Sequence, residues 1–283
     1  MTVFTSQKRN KMKKRFIILI DFSEYSSNLI KYACDWNKQV NAELLLVHQS
    51  IVLAPALTDN ESRQQIAEHT NEEALQKLKT LAKKLIPPTV KVSFNVSESN
   101  LQHTLPKLLE EPYDNLILTG IKGTGLLKKL FLGSVALQVI DNTKNCIVAM
   151  PKEIDTFSHE KIFVAVTEKH PLNILELNKF LNFFDDKDTT ITFFYLAKPN
   201  EKTKGIERHL KELKEMFSDK YNTSFAIYEG NNPFSDIKKV INNKIDEMLI
   251  VQKGSRLLTD QLFRRFLINE LVYEGQTPLI VLP

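Results

Sequence analysis

Apolar, strand-like runs alternate with helix-like segments along this chain, and the whole order occurs twice. The first copy contains KRFIILID, ELLLVH, NLILTG and CIVAM, and the second contains KIFVAVTE, TTITFFYLA, DEMLIV and PLIVLP. Near-continuous apolar runs suit strands that are covered on both faces, and strands that alternate with helices predict a parallel sheet. A repeat of about 130 residues is too long for a solenoid unit, so it indicates a duplicated domain.

The duplication predicts an α/β fold of two tandem, doubly wound domains, each with a five-stranded parallel sheet and helices on both faces. The first domain is predicted at residues 15–152 and the second at residues 160–283, with the boundary near Pro151 to His159. Residues 1–14 form a basic extension. In sheets of this kind, ligands bind beyond the carboxyl ends of the strands, where the strand order reverses.

Six basic residues occur ahead of the first strand, in a chain of net charge +4. They are Lys8, Arg9, Lys11, Lys13, Lys14 and Arg15. A basic arm can bind nucleic acid through its phosphates, but it can equally be a solvated terminus. Because no aromatic residues are interleaved to stack bases, and no Cys and His have zinc-finger spacing, nucleic acid is not an expected partner.

The apolar pattern and the cysteines indicate the compartment. No run of about 18 apolar residues occurs, and the N-terminus lacks an apolar segment of the signal-peptide type. Cys34 falls in a helical pattern and Cys146 in a strand pattern, which is typical of buried structural thiols rather than of a disulfide framework. We therefore expect a cytoplasmic protein that does not enter a membrane.

The histidines do not indicate a metal site. They are His48, His69, His103, His159, His170 and His209. They show no metal-ligand spacing and lie in different predicted elements, so we interpret them as ordinary surface or core residues. No Ser/His/Asp or Cys/His arrangement indicates a catalytic centre.

Four of the eight glycines lie in one stretch, NLILTGIKGTGLLKKLFLGS. They are Gly120, Gly123, Gly125 and Gly133. The order is a buried strand (116–119), a glycine loop and then a helix-compatible segment from Ser134 to Ile140. Glycine occurs where φ must be positive or where the backbone approaches another group closely, and loops of this kind bind phosphate through backbone N–H groups. An ordinary strand-to-helix turn with a helix cap is the alternative interpretation.

The spacing distinguishes between known phosphate-binding loops. A Walker loop would require Gly-Lys-Ser/Thr, and Gly123-Thr124-Gly125 lacks the third glycine of a dinucleotide fingerprint. The spacing from Gly120 through Gly123 to Gly133-Ser134 instead resembles the Gly-2x-Gly-9x-Gly-Ser/Thr motif of the ATP-binding branch of the universal stress protein family. Both halves resemble domains of this family, and the chain looks like a tandem member with Rossmann-like, adenine nucleotide alpha hydrolase-like domains.

This resemblance implies a nucleotide site in the first domain. Its ligand would be ATP, with or without Mg²⁺, and hydrolysis would be slow at most because no residue is available to position water. Asp21 would lie near the ribose or adenine as a buried acceptor, or it could serve only as a helix N-cap, and the Leu44 backbone would contact the adenine edge. The loop and phosphate contacts would come from Thr119, Gly120, Lys122, Gly123, Gly133, Ser134 and Val135.

Two positions depart from the family pattern. Members often have histidine where Lys122 stands, and proline or a small residue where Ile20 stands. Lys122 could itself pair with a phosphate. In the second copy, sequence alignment sets Glu168 against Asp21, Gly254 is the only glycine left in the motif, and no Gly-Ser or Gly-Thr pair precedes the last helix. The second copy therefore resembles a scaffold.

Single-domain members of the family commonly pair through their final strands. Here both final strands, Cys146–Met150 and Leu279–Leu282, are apolar and end at a proline. Pairing them within the chain would remove two open sheet edges, so we expect the domains to pack as an internal pseudo-dimer. Association of whole chains into homo-oligomers remains open.

Three functions are compatible with these sequence features to different degrees. The first is a nucleotide-binding stress protein in which ATP occupancy changes a conformation or a partner surface. The second is a tandem scaffold that binds no nucleotide and works through protein contacts. The third, an ATP-consuming enzyme of the wider fold group, is disfavoured because FSEYSS stands where an SGGxDS-type loop would follow the first strand.

Overall fold

The computed structural model describes residues 12–53, 55–120, 139–151, 153–167, 171–184, 188–229, 247–253 and 277–283. The strands are β1 (Lys13–Leu19), β2 (Glu43–Gln49), β3 (Val92–Ser97), β4 (Tyr113–Gly120), β5 (Ile147–Met150), β6 (Lys161–Ala165), β7 (Thr190–Ala197), β8 (Asn222–Glu229), β9 (Glu247–Gln252) and β10 (Leu279–Leu282). The helices with described bounds are α1 (Glu24–Val40), α2 (Asn60–Leu85), α3 (Leu101–Leu109), α4 (Ile174–Leu181) and α5 (Lys204–Phe217).

The described strands form one ten-stranded sheet in the order β3-β2-β1-β4-β5-β10-β9-β6-β7-β8. Neighbouring strands are parallel within each half, and β5 and β10 join the halves in antiparallel register, with Val148 opposite Ile280. The predicted α/β fold with two doubly wound, five-stranded parallel halves is confirmed, and so is the pairing of the two final strands. Because the central pair is antiparallel, the carboxyl ends of the two sets of strands lie at opposite edges of the sheet.

The apolar run of β1 is buried on both faces of the sheet. Phe16 and Ile18 pack in a core shared with α1 and α2, while Ile17 and Leu19 pack in a second core that includes Leu105 of α3. Each core also contains residues of the second half. Side chains alternate between the faces of a strand, so a strand covered on both sides needs apolar residues at every position.

Local capping accounts for several helix boundaries. The side chain of Asp59 accepts a hydrogen bond from Ser62 N at 2.9 Å, and Asn100 accepts one from Gln102 N at 3.0 Å. These acceptors satisfy backbone N–H groups that have no partner within the first helical turn. Asn100 is therefore the N-cap of α3, and Pro106 lies inside that helix.

An aromatic cluster joins the two halves. We call it the junction cluster, and it consists of Phe16, Tyr32, Trp36, Phe157, Phe180, Phe183 and Phe184. Trp36 of α1 is fully buried, its ring lies 4.5 Å from that of Phe157, and its Nε1 donates to Phe183 O at 2.6 Å. Phe157 lies between β5 and β6, so the connection between the halves is itself part of the core.

A carboxylate holds this connection against α1. Asp35 Oδ2 accepts a hydrogen bond from Phe157 N at 2.9 Å, and Asp35 Oδ1 accepts one from Lys38 Nζ at 2.8 Å. Partial burial raises the pKa of Asp35, but these hydrogen bonds outweigh it and leave the pKa below its usual value. A carboxyl whose folded pKa is depressed stabilises the fold above its unfolded pKa, and this contribution is lost as pH falls through the folded pKa.

The basic segment at the amino end needs a correction. β1 begins at Lys13, inside the predicted extension of residues 1–14, and Lys13 pairs with Glu43 at 3.5 Å. Arg15 is 4% exposed, and its guanidinium donates to Asn115 Oδ1, Glu111 Oε2 and Leu108 O. Arg15 is therefore a structural residue of the sheet and not part of a free basic arm. Residues 1–11 lie outside the described part of the chain.

Replacing Trp36 with alanine should lower the free energy of unfolding by about 3–5 kcal/mol, because it removes a large buried side chain and its hydrogen bond. Urea denaturation followed by far-UV circular dichroism should show one cooperative transition that moves as a whole. A matched control is Leu175→Ala, at a side chain 72% exposed, which should change stability by less than about 0.5 kcal/mol. Separate transitions, with only one displaced, would contradict a shared core.

Candidate functional site

The strand order reverses between β1 and β4. Leu19 is in register with Thr119, so the chain leaves these two neighbouring strands at the same edge of the sheet. Asp21 follows β1, and Gly120 ends β4. In doubly wound sheets this reversal opens the crevice in which ligands bind. The structure thus brings together Asp21, Thr119 and Gly120 of the predicted site.

Asp21 forms a tight turn at the start of α1. Its Oδ1 accepts hydrogen bonds from Ser23 N at 2.9 Å, Ser23 Oγ at 2.5 Å and Ser26 Oγ at 3.1 Å. Ser23 is the N-cap residue but makes no side-chain cap bond, so Asp21 supplies an acceptor at this helix end. The expectation that Asp21 is buried was wrong, because its side chain is exposed at the edge of the sheet.

Phe22 and His48 lie beside this carboxylate, and the sequence interpretation missed both. The rings of Phe22 and His48 are 4.4 Å apart, and His48 Nδ1 lies 2.8 Å from Ile20 O. A carbonyl oxygen only accepts hydrogen bonds, so Nδ1 carries a proton and donates it. His48 was expected to be an ordinary histidine, because its position near the end of β2, next to the Asp21 turn, follows only from strand pairing.

Gly120 allows a close approach between β4 and α1. A Cβ atom at this position would lie 3.4 Å from Tyr25 Cβ, and the φ angle of Gly120 is not positive. No unusual backbone conformation requires glycine here, and a Cβ atom would make a close but ordinary van der Waals contact with α1. Thr119 before it is 3% exposed, so its side chain belongs to the core.

Leu44 does not lie with the other predicted residues. It is in register with Phe16 near the amino end of β2, and Asp21 comes five residues after Phe16, a separation of roughly 16 Å along a strand. Its backbone N–H donates to Lys91 O at 2.9 Å, and its side chain is fully buried. At the carboxyl end of β2 lie His48 and Gln49, and His48 is the one whose ring contacts Phe22.

The remaining predicted contacts lie outside the described residues. They are Lys122, Gly123, Gly133, Ser134 and Val135. The described part of the site therefore comprises the Asp21 turn, Phe22, His48, Thr119 and Gly120.

The second half has an equivalent edge, and the sheet register identifies the corresponding residues. Ile20 N donates to Val47 O at 2.8 Å, and Val166 N donates to Phe194 O at 2.8 Å, so Val166 matches Ile20. Thr167 therefore stands where Asp21 stands, which corrects the sequence alignment that had placed Glu168 there. A threonine has no carboxylate with which to repeat the Asp21 turn.

Gln252 takes the place of Gly120 in the second half. It is in register with Leu282, as Gly120 is with Met150. Its Oε1 accepts a hydrogen bond from Asn173 N at 3.0 Å, and its Nε2 donates to Pro283 O. The side chain thus connects β9 to the cap of α4 and to the end of β10. At the point where the first half has only a glycine, the second half has an amide side chain engaged with its own backbone.

The described residues do not indicate a reactive thiol, a metal site or a membrane span. Both cysteines are free thiols, and burial and then the nearby Asp35 raise the pKa of Cys34 to about 11. Burial also raises the pKa of Cys146 well above its usual value. Thiols with raised pKa are weak nucleophiles at neutral pH. Within the described ranges, no His, Cys, Asp or Glu cluster could hold a metal ion, and no helix is long and apolar enough to cross a membrane.

The doubly wound parallel halves and the carboxylate turn at the strand reversal define a Rossmann-like α/β protein. Residues 12–149 match the model of the universal stress protein family. A universal stress protein of Methanocaldococcus jannaschii is 28% identical over 144 residues, which cover 50% of this chain and 82% of that protein. The chain therefore carries a universal stress protein domain in its first half and is homologous to universal stress proteins.

Solved structures extend the likeness in fold to the second half. A universal stress protein from Archaeoglobus fulgidus DSM 4304 superimposes with a TM-score of 0.68 at 17% identity, over 95% of this chain and 97% of that one. A putative universal stress protein from Pseudomonas aeruginosa UCBPP-PA14 gives a TM-score of 0.58 at 14% identity, over 96% and 93% of the two chains. The two-half arrangement is thus a fold shared with other proteins.

Replacing Asp21 with alanine should lower the free energy of unfolding by about 1 kcal/mol, because Ser23 N and Ser26 Oγ lose their acceptor. Asp21→Asn retains Oδ1 and should lower it less. Urea denaturation measures both variants, and Asp59→Ala, which removes the cap of α2, provides a matched reference. A loss in Asp59→Ala with none in Asp21→Ala would contradict the capping role of Asp21.

Proposed function

We propose that this chain is a cytoplasmic universal stress protein that binds ATP at the carboxyl edge of its first half. Nucleotide occupancy then changes the conformation of the protein or the surface that it offers to a partner. The observation that carries the proposal is the meeting of Asp21 and Gly120 at the strand reversal, where Gly120 begins the Gly120/Gly123/Gly133-Ser134 spacing.

Each group has a distinct part in this proposal. The exposed Asp21 carboxylate holds the Ser23 and Ser26 groups, and in the proposal it also accepts hydrogen bonds from ribose hydroxyls. Gly120, Gly123 and Gly133 leave room for phosphate oxygens to approach backbone N–H groups. In the proposal the remaining contacts come from the backbone of Thr119 and from Lys122, Ser134 and Val135, with or without Mg²⁺ on the phosphates.

The proposal assigns one nucleotide site to each chain. The second half lacks the Asp21 carboxylate, since Thr167 stands in its place, and the side chain of Gln252 is bonded to Asn173 N and Pro283 O. A ligand there would have to displace these hydrogen bonds, and leaving such groups unpaired costs about 1–3 kcal/mol each. The second half acts instead as the partner that covers the β5 edge of the first.

In this proposal ATP is a bound ligand rather than a substrate, because the sequence offers no residue that would position an attacking water molecule. Analysis of the purified protein for bound adenine nucleotide, by chromatography of the denatured supernatant, is the first experiment. Protein that carries none and binds none on titration would instead support the scaffold function.

Replacing Gly133 with valine should abolish detectable ATP binding in isothermal titration calorimetry, because a branched side chain would occupy the space of a phosphate oxygen. Gly205→Val is the matched control, since a Cβ atom at Gly205 meets no atom within 4 Å. The control should bind ATP as the parent does. Unchanged affinity in Gly133→Val would refute the proposed phosphate contacts.

Titration of the parent should give one ATP per chain. Gly120→Gln reproduces the residue found at Gln252 and should reduce ATP affinity at least about tenfold, which corresponds to 1.4 kcal/mol. Thermal unfolding checks that this variant folds, because a Cβ at Gly120 would approach Tyr25 Cβ at 3.4 Å. Two equivalent sites per chain would contradict the division between the halves.

A further inference from the structure

Phe22 has a backbone conformation that its residue type disfavours. Among the described residues, four that are not glycine have a positive φ angle, and three of these are Asn or Asp: Asn41, Asp188 and Asn200. The fourth is Phe22, with φ of 59°. Asn and Asp tolerate the left-handed region, whereas a bulky side chain is strained there. Strain of this kind persists when the surroundings enforce it, and it is concentrated at ligand sites.

The ring of Phe22 contacts the ring of His48, and the residue is partly exposed to solvent. Its centroid lies 4.4 Å from that of His48, with the ring planes at 50°, and the residue is 36% exposed. His48 is oriented in turn by its hydrogen bond to Ile20 O at 2.8 Å. The backbone on either side of Phe22 is fixed by the hydrogen bond from Ser23 N to Asp21 Oδ1. The strained turn therefore presents a fixed aromatic ring at the edge where Asp21 lies.

We propose that Phe22, supported by His48, is the platform on which the aromatic base of the bound nucleotide stacks. This inference rests on the proposed function and names the part of the ligand that the described half of the site recognises. An aromatic ring stacks with any base because every base has a π face. The platform therefore selects nucleotides over bare polyphosphates, and purines over pyrimidines because their π face is larger.

The second half lacks this platform, in agreement with a single site. The sheet register matches Val166 with Ile20, and two residues further along the sequence, where the first half has Phe22, the second has Glu168, which has no aromatic ring. At the position of His48 stands Tyr195, whose hydroxyl donates to Glu201 Oε1 at 2.9 Å. The contact between the Phe22 and His48 rings is a property of the first half, as are the Asp21 turn and Gly120.

The Phe22→Gly variant tests the role of the aromatic ring in binding while the fold is retained. Glycine adopts a positive φ without strain, so Phe22→Gly should unfold at the same temperature as the parent or a higher one. Its affinity for ATP should nevertheless fall at least about tenfold, the effect of losing one base-aromatic stack. Its affinity for tripolyphosphate, which has no base, should stay unchanged. Phe22→Tyr keeps the ring and should retain the affinity for ATP.

Isothermal titration calorimetry with ATP and with tripolyphosphate, on the full chain, measures these effects. Asn41→Gly places glycine at another left-handed residue, at the opposite end of α1, and should change neither affinity. Full ATP affinity in Phe22→Gly, or equal losses for both ligands, would overturn the platform while leaving ATP binding established. A parent that binds neither ligand would refute the proposed function and the platform with it.

Discussion

The backbone pairing of β5 with β10 is the contact on which the arrangement of the whole molecule depends. Each strand is the last of its half and is fully buried, and their antiparallel register turns two five-stranded sheets into one. Unpaired edges would otherwise leave rows of N–H and C=O groups open to association. The same pairing brings α1 and the region after α4 close enough for Trp36 to bond with Phe183, and it directs the two sets of carboxyl ends to opposite edges.

Two halves with the same topology differ at the strand reversal in the described residues. In the first half, the exposed Asp21 turn, the strained residue Phe22 and Gly120 lie at this edge. Phe22 costs backbone strain there, and Gly120 has no side chain to pack. In the second half, Gln252 occupies the position that corresponds to Gly120, and its side-chain amide forms hydrogen bonds with the backbone of Asn173 and Pro283. The first half therefore carries backbone strain and a residue without a side chain at this edge, whereas the second half has a hydrogen-bonded side chain there.

The fold was predictable from two features of the sequence. The apolar runs indicate where the strands lie and that both of their faces are buried, and the repeat indicates that two equivalent halves pair. Asp21 and Gly120 were predictable for a similar reason: each follows a buried strand at a known end. Leu44 and His48 were not, because which residue of β2 reaches the edge depends on where that strand begins relative to β1. The placement of Glu168 opposite Asp21 failed likewise, since a shift of one residue between similar apolar runs is visible only in the hydrogen-bond register.

The packed connection between β5 and β6 keeps the two halves close together and so favours their association. With Ile154 and Phe157 buried and Asp35 holding the backbone of Phe157, the tether is short and has little freedom. Tethered partners meet at an effective concentration of about millimolar, independent of how much protein a cell makes. Separate chains would associate only at a sufficient protein concentration. In this protein the two halves are joined from synthesis onward, so their association does not depend on that concentration. One half can then change its surface chemistry without losing its partner to dilution.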